Sequence, residues 1–172
     1  FDVLPKPGHM EHYFTHVARL KPVLAAHRGL TYLERFRPLY DPDALLSHQL
    51  WEDEAAISAW RADPEHRISQ SAGRRVHFES YRLRIGHETR EAAGEGRHLC
   101  AAYGSRPLSG GRGFESVTRP GRFLTIFTGG AAEAVRAAVE AEAGQESEET
   151  RLFRLDRDYT KTDRGEAPEN IA

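Results

Sequence analysis

The sequence predicts an α+β fold with the element order β-α-β-β-α-β, followed by a shortened second copy of that order. Three observations predict it. Apolar residues alternate in four short runs and recur at helical spacing between them. One β-α junction stands out in Leu45–Trp60, LLSHQLWEDEAAISAW, where an apolar run meets an acidic turn and then a helix. The second half repeats the strands and turns of the first in the same order.

Phe1–Leu4 reads as a strand stopped by Pro5-Lys6-Pro7-Gly8. From His9 to His27, Tyr13, Val17, Leu20 and Leu24 recur at helical spacing, with Pro22 expected to kink the helix and Gly29 to end it. Leu30–Arg37 sets Leu, Tyr, Glu and Phe on one face and Thr, Leu, Arg and Arg on the other, the pattern of a strand. Leu45–Trp51 is the next strand, after a turn at Pro38–Asp43. Asp53 caps a helix over Glu54–Ala62, and Asp63-Pro64 starts another that ends near Gly73. Arg75–Ile85 reads as a long strand, completing a ferredoxin-like unit.

The domain expectation is therefore a first unit over 1–88, a linker with one short strand (Leu99–Tyr103) over 89–113, and a degenerate second unit with a polar tail over 114–172. In that second unit Phe114–Thr118, Arg122–Thr128 and Arg151–Tyr159 read as strands and Ala131–Ala143 as a helix. The counterpart of the long first helix is missing from it, and the tail from Thr160 is expected to fray.

Composition narrows the function classes. The chain has 172 residues, 39% hydrophobic and 29% charged, with a formal net charge of -2, so no nucleic-acid or anionic-membrane partner is expected. Its one cysteine, Cys100, forms no internal disulfide and is expected to be a small buried residue; a cytoplasmic location fits. No apolar run is long enough to span a bilayer, so no membrane partner is expected. The chain opens at Phe1 without Met, so residues upstream, and any N-terminal address in them, are expected.

Several segments of the first half resemble an antibiotic biosynthesis monooxygenase (ABM) domain of the dimeric α+β barrel superfamily. They are Gly29-Leu30, Glu34-Arg35-Phe36, Leu45-Leu46-Ser47, Trp51-Glu52-Asp53-Glu54, Ala59-Trp60-Arg61, Pro64-Glu65-His66, Gly73-Arg74 and Tyr81-Arg82. The resemblance covers roughly Phe1–Glu88. It implies two ferredoxin-like units paired sheet to sheet with helices outside, supplied by a homodimer or, here, by an internal pseudo-dimer. It also implies oxidation of a small aromatic or polyketide-like substrate by O₂ with no cofactor, metal or flavin. One alternative is a non-catalytic ligand-binding or stress-associated module of the same fold. Another is a haem-binding or haem-degrading protein. Haem-degrading relatives carry a His ten residues after the Trp and an Asn on the first strand, where this chain has Gln70 and Asp2. Oxygenases of the family also use an Asn, and the sole Asn here is Asn170.

Within that frame the expected catalytic residues are His66 as base, Trp60 as pocket wall and donor, and Arg84 as anion stabiliser. Trp60 has Ala56 and Ile57 one turn earlier, so its ring should face the sheet, either as plain core or as a pocket wall. His66 lies in the first turn of a helix, where imidazolium is disfavoured. Tyr13, His16 and His48 are the expected substrate contacts: Tyr13 on the apolar stripe of the first helix, His16 at its border, and His48 between Leu46 and Leu50 on one strand face. His9 and His16 lie about 10 Å apart along the axis and cannot share one metal; no HExxH pattern follows, and no metal site is expected. An open cavity touching Trp60 and His66 would favour the enzyme; a sealed, fully packed Trp60 would count against it.

Overall fold

The computed structural model describes residues 1–90, 95–143 and 149–168. The last four residues of the tail, with Asn170, and residues 91–94 of the expected linker lie outside them. The first half contains β1 (Asp2–Pro5), α1 (Met10–Ala26), β2 (Leu30–Pro38), β3 (Leu45–Trp51), α2 (Glu54–Ala62), α3 (Pro64–Ala72), a π-helical turn (Gly73–His77) and β4 (Phe78–Glu88). The second contains β5 (Glu95–Gly104), β6 (Arg112–Ser116), β7 (Phe123–Ala131), α4 (Ala132–Ala143) and β8 (Glu149–Thr160). The α+β class is as expected.

The eight strands form one closed antiparallel barrel in the order β1-β3-β2-β6-β7-β5-β8-β4. Each half keeps the same internal order, β4-β1-β3-β2 and β8-β5-β7-β6. Two seams join them: β2 on β6, with Phe36 opposite Ser116, and β4 on β8, running from Arg82 opposite Thr160 to Glu88 opposite Phe153.

Local chemistry accounts for the first-half helices. The Asp53 carboxylate accepts from the Ala56 N–H at 2.8 Å, and the Asp63 carboxylate from the His66 N–H at 3.0 Å, so each helix begins on a side-chain cap. Pro22 sits inside α1; the carbonyl it leaves unpaired belongs to Ala18, on the exposed side where water can serve it. Gly29 has φ +87, and a Cβ there would lie 2.5 Å from Ala56 Cβ, so glycine both turns the chain and lets α2 approach β2.

Two element expectations change. The strand expected from Arg75 begins at Phe78, because Gly73–His77 continues α3 as a π-helical turn, with the Phe78 ring packed on Gly73 where a Cβ would meet it at 2.3 Å. The short strand placed inside a linker is a ten-residue strand at the middle of the second sheet, buried from His98 to Gly104. Its Gly-, His- and Arg-containing start hides an alternation that pays off only when β7 and β8 flank it. Between β5 and β6 the chain turns without a helix.

Side chains divide by face. Phe36, Leu46, Leu99, Ala101, Tyr103, Phe114, Leu124, Ile126 and Phe153 form a core drawn from strands alone, which places it inside the barrel. Outside, α4 lays Ala132, Val135 and Val139 on Cys100, Ala102, Phe127 and Leu152. On the opposite wall, α1 packs Tyr13, Met10, Phe14 and Val17 on Val3, Leu45, Phe78 and Tyr81. No helix among the described residues is long and apolar enough to cross a membrane.

Candidate functional site

The structure separates the six expected site residues by the first sheet. Tyr13, His16, Trp60 and His66 lie on its outer side with α1–α3; His48 and Arg84 lie on the inner side. Arg84 donates to Asp2 at 2.7 Å, so its charge is spent on a carboxylate across the sheet from Trp60 and His66. The three expected catalytic residues therefore do not form one constellation. The period-two alternation of a strand decides this, and Val3, which packs outward on Tyr13, sets the phase.

Trp60 is 6% exposed. His66 stacks on it at 4.0 Å and 15°, Trp51 lies parallel at 6.3 Å and 28°, and His27 meets it edge-on at 5.4 Å. This is core packing among the rings of His66, Trp51 and His27. His66 is better placed. Its Nδ1 lies 2.9 Å from the Trp60 carbonyl oxygen, which can only accept, so the proton sits on Nδ1 and Nε2 carries the lone pair, which the Gln70 amide faces at 3.5 Å. Burial holds its pKa below the ordinary imidazole value, with the Trp60 carbonyl working against that shift. The neutral form was expected from the helix N-terminus; burial is the larger cause.

Around this pair the layer is polar. Tyr13 bonds to the Arg35 side chain, and burial pushes its pKa up. Gln49 donates to Ser47 Oγ at 3.2 Å and accepts from Trp51 Nε1 at 3.1 Å. The Gln70 amide nitrogen lies over the His66 ring, 3.2 Å from Nδ1 and 3.5 Å from Nε2. Gln70 Oε1, Arg35 Nε, Arg61 Nε and Arg157 Nε are buried without hydrogen-bond partners among the described residues, as is Arg136 Nε on α4. Arg35 and Gln70 went unassigned in the sequence. Arg35 shares a strand face with Thr31 and Leu33, and nothing local marks it as covered by helices. The haem alternative finds no ligand at Gln70, the position where haem-degrading relatives carry His.

The expected substrate contact His16 turns to another neighbourhood. Its Nδ1 is 3.3 Å from Ser69 Oγ, and its ring lies 5.6 Å from that of His77. His48 is bonded inside the barrel, its Nδ1 3.0 Å from the Tyr103 hydroxyl. Burial lowers the His48 pKa to about 4 and raises that of Tyr103. Beside them Glu34, 4% exposed, accepts from Tyr32 at 2.5 Å, Ser116 Oγ at 2.6 Å and Arg119 Nε at 2.9 Å, with Arg122 Nε at 3.3 Å. Burial raises the Glu34 pKa, but Arg119, Ser116 and Tyr32 outweigh it and the net shift is down. Tyr32 is pushed up to about 12, by burial and by Glu34. This network bonds one half of the barrel to the other.

A cleft of about 390 Å³ opens at the barrel mouth between Asp2, Leu4, Arg82, Arg112, Thr160 and Lys161, and touches neither Trp60 nor His66. Its cations are paired: Arg82 grips Asp158 through two bonds, and Arg112 holds Asp2 at 2.8 Å. Cys100 is buried, with its thiol pKa raised to about 11 by burial, so it is no nucleophile. Among the described residues no group of three or more His, Cys, Asp or Glu is arranged to hold a metal ion.

These features define an α+β barrel protein whose first half holds a polar layer between sheet and helices. Residues 2–71 match the family model of the antibiotic biosynthesis monooxygenase, so the first half carries an ABM domain spanning β1 to α3. Two solved structures share overall similarity. One is a candidate monooxygenase from Lactobacillus acidophilus, 7% identical over 94% of this chain and 91% of that one, at a TM-score of 0.41. The other is a candidate monooxygenase from Fusobacterium nucleatum, 6% identical over 90% and 88%, also at 0.41. No curated protein matches the sequence.

Proposed function

We propose that this chain is an ABM-type monooxygenase that oxidises an aromatic, polyketide-like phenol with O₂, without metal or flavin, in the layer between the first sheet and α1–α3. The observation that carries this reading is the number of unmet buried polar atoms on the elements bounding that layer: Gln70 Oε1 and the Nε atoms of Arg35, Arg61 and Arg157, against Arg136 Nε alone on α4 among the described residues. Buried polar atoms are ordinarily bonded, so such a set marks room for the oxygens of a ligand or water. His66 Nε2 takes the phenol proton, and burial keeps that imidazole neutral and able to do so. Arg35, beside Tyr13, replaces Arg84 as the cation facing the phenolate. One atom of O₂ stays on the ring carbon; the other leaves as water with the hydroxyl proton, returned by His66, and the one hydrogen that carbon carried. Trp60 anchors α2 to the sheet and does not touch substrate.

The test is oxygen uptake by flavin-free, chelator-treated protein given anthrone. The expected result is one O₂ consumed per anthraquinone formed, well above the spontaneous rate, and lost in His66→Gln. Binding of anthrone with uptake only at the spontaneous rate overturns this reading. It would leave the second one, a non-catalytic ligand-binding module, which the sealed Trp60 favours.

The strand order also supports a duplicated ferredoxin-like unit, the second copy starting at β5 and lacking a counterpart of α1. On this proposal the single-chain barrel stands in for the two-chain barrel of the superfamily. Light scattering should give the monomer mass; a stable dimer overturns it.

A further inference from the structure

Four imidazoles gather where α1 meets the turn into β4. His77, carried there by the π-helical turn, lies 5.2 Å from the ring of His9, 4.9 Å from that of His12, nearly parallel, and 5.6 Å from that of His16. His9 and His12 are themselves 5.4 Å apart. The Nδ1 atoms of His9 and His77 are 3.0 Å apart, so one must carry a proton and the other a lone pair. The backbone closes the same junction: the Lys6 N–H donates to the His77 carbonyl and the His9 N–H to that of Lys6, both at 2.9 Å. The rings stack and tilt without aiming three donors at one point, so protons, not a metal ion, are the natural ligand.

We propose that His9, His12, His16 and His77 form an acid-released latch, which holds α1 over the first sheet while the rings are neutral and frees it when they are protonated. The charged groups facing the cluster favour release. His77 is surrounded by His12, His16, His9 and Lys6, and Arg19 faces His16. On the facing helix α3, the carboxylate of Glu65 is bound to Arg19 at 2.9 Å. A second proton on the His9–His77 pair removes its only acceptor. Burial and these cations hold His16 and His77 below the ordinary imidazole value, so the latched form binds protons more weakly than the released form. Latching is then complete above the ordinary imidazole pKa and is lost as pH falls below it. Because α1 carries Tyr13 and covers the sealed layer around Trp60 and His66, release would admit substrate; that consequence rests on the function proposed above.

Hydrogen exchange of the full chain, corrected for the intrinsic pH dependence of exchange, tests the latch without any ligand. Between about pH 7.5 and about pH 5.5, protection of α1 amides should fall about tenfold or more while α4 amides keep theirs. His77→Gln should flatten that dependence; His12→Gln, at an exposed position that folding tolerates, should reduce it. Unchanged α1 protection across this range, or an undiminished pH dependence in both variants, overturns the latch. Anthrone oxidation absent at every pH would overturn the functional reading and leave the exchange result standing.

Discussion

Beneath α4, the second sheet meets its helix through Cys100, Ala102, Phe127 and Leu152 against Ala132, Val135 and Val139, all buried and all apolar. Beneath α1–α3, an apolar patch of Val3, Leu45, Phe78 and Tyr81 adjoins Arg35, Ser47 and Gln49 of the first sheet, and the helices answer with Tyr13, His66 and Gln70 as well as Phe14 and Val17. The two walls share a strand order, so the contrast is not a consequence of topology. A dry wall gains stability from each methylene it buries. A polar wall gives up part of that gain and keeps unmet donors and acceptors, which is tolerable where a ligand or water supplies the missing bonds. The comparison teaches which wall can be a site: the one that stability alone would not have built.

The largest effect should come from breaking the dry wall. Phe127→Ala removes a ring 4% exposed beneath α4 and should cost about 3–5 kcal/mol in denaturant unfolding. The same truncation has no equivalent among the polar residues of the other wall. Acid should act next, through the barrel interior shared by both walls. His48 has a folded-state pKa of about 4, lowered from 6.5. Its contribution is full above pH 6.5 and drains away as pH falls towards 4, reaching about 2–3 kcal/mol. Urea titrations of the wild type and His48→Gln across that range should converge at the acid end; parallel curves would refute the assignment. Glu34→Gln weakens the network that bonds the halves and should cost about 2 kcal/mol, with a steeper loss in low salt. Asp53→Ala removes the α2 cap and should cost about 1 kcal/mol, measurable as a lower thermal midpoint.

The smallest effect on stability should be the most informative. Gln70→Leu replaces a partly unbonded amide with an apolar side chain, so unfolding should shift by less than about 1 kcal/mol in either direction. Anthrone turnover should nevertheless drop by about tenfold or more, the loss expected for one charge- or dipole-directed contact. A stability loss as large as that of Phe127→Ala would mean that the polar wall is as tightly packed as the dry one.

Much of the molecule was legible residue by residue. The strands at Leu45–Trp51 and Leu30–Arg37, the caps at Asp53 and Asp63 and the turn at Gly29 follow from side-chain alternation, hydrogen bonding to nearby N–H groups and backbone freedom, all expressed within a few residues. Trp60 and His66 were legible as neighbours because they lie six positions apart across one helix junction. Arg84 was misplaced because a strand pattern gives two faces without saying which is inside. Whether Trp60 is core or pocket wall stayed open in the sequence, because its covering partners, Trp51 and His27, come from other elements.

The amino-acid order by itself determined most of the elements and their succession, because period and capping are short-range properties. Only the tertiary structure decided that eight strands close into one barrel, that Arg84 and His48 face its interior while Arg35 and Gln70 face the helices, and that His77 joins three histidines of α1. Those outcomes depend on contacts between residues tens of positions apart, and the physical information lies in the partner, not in either segment.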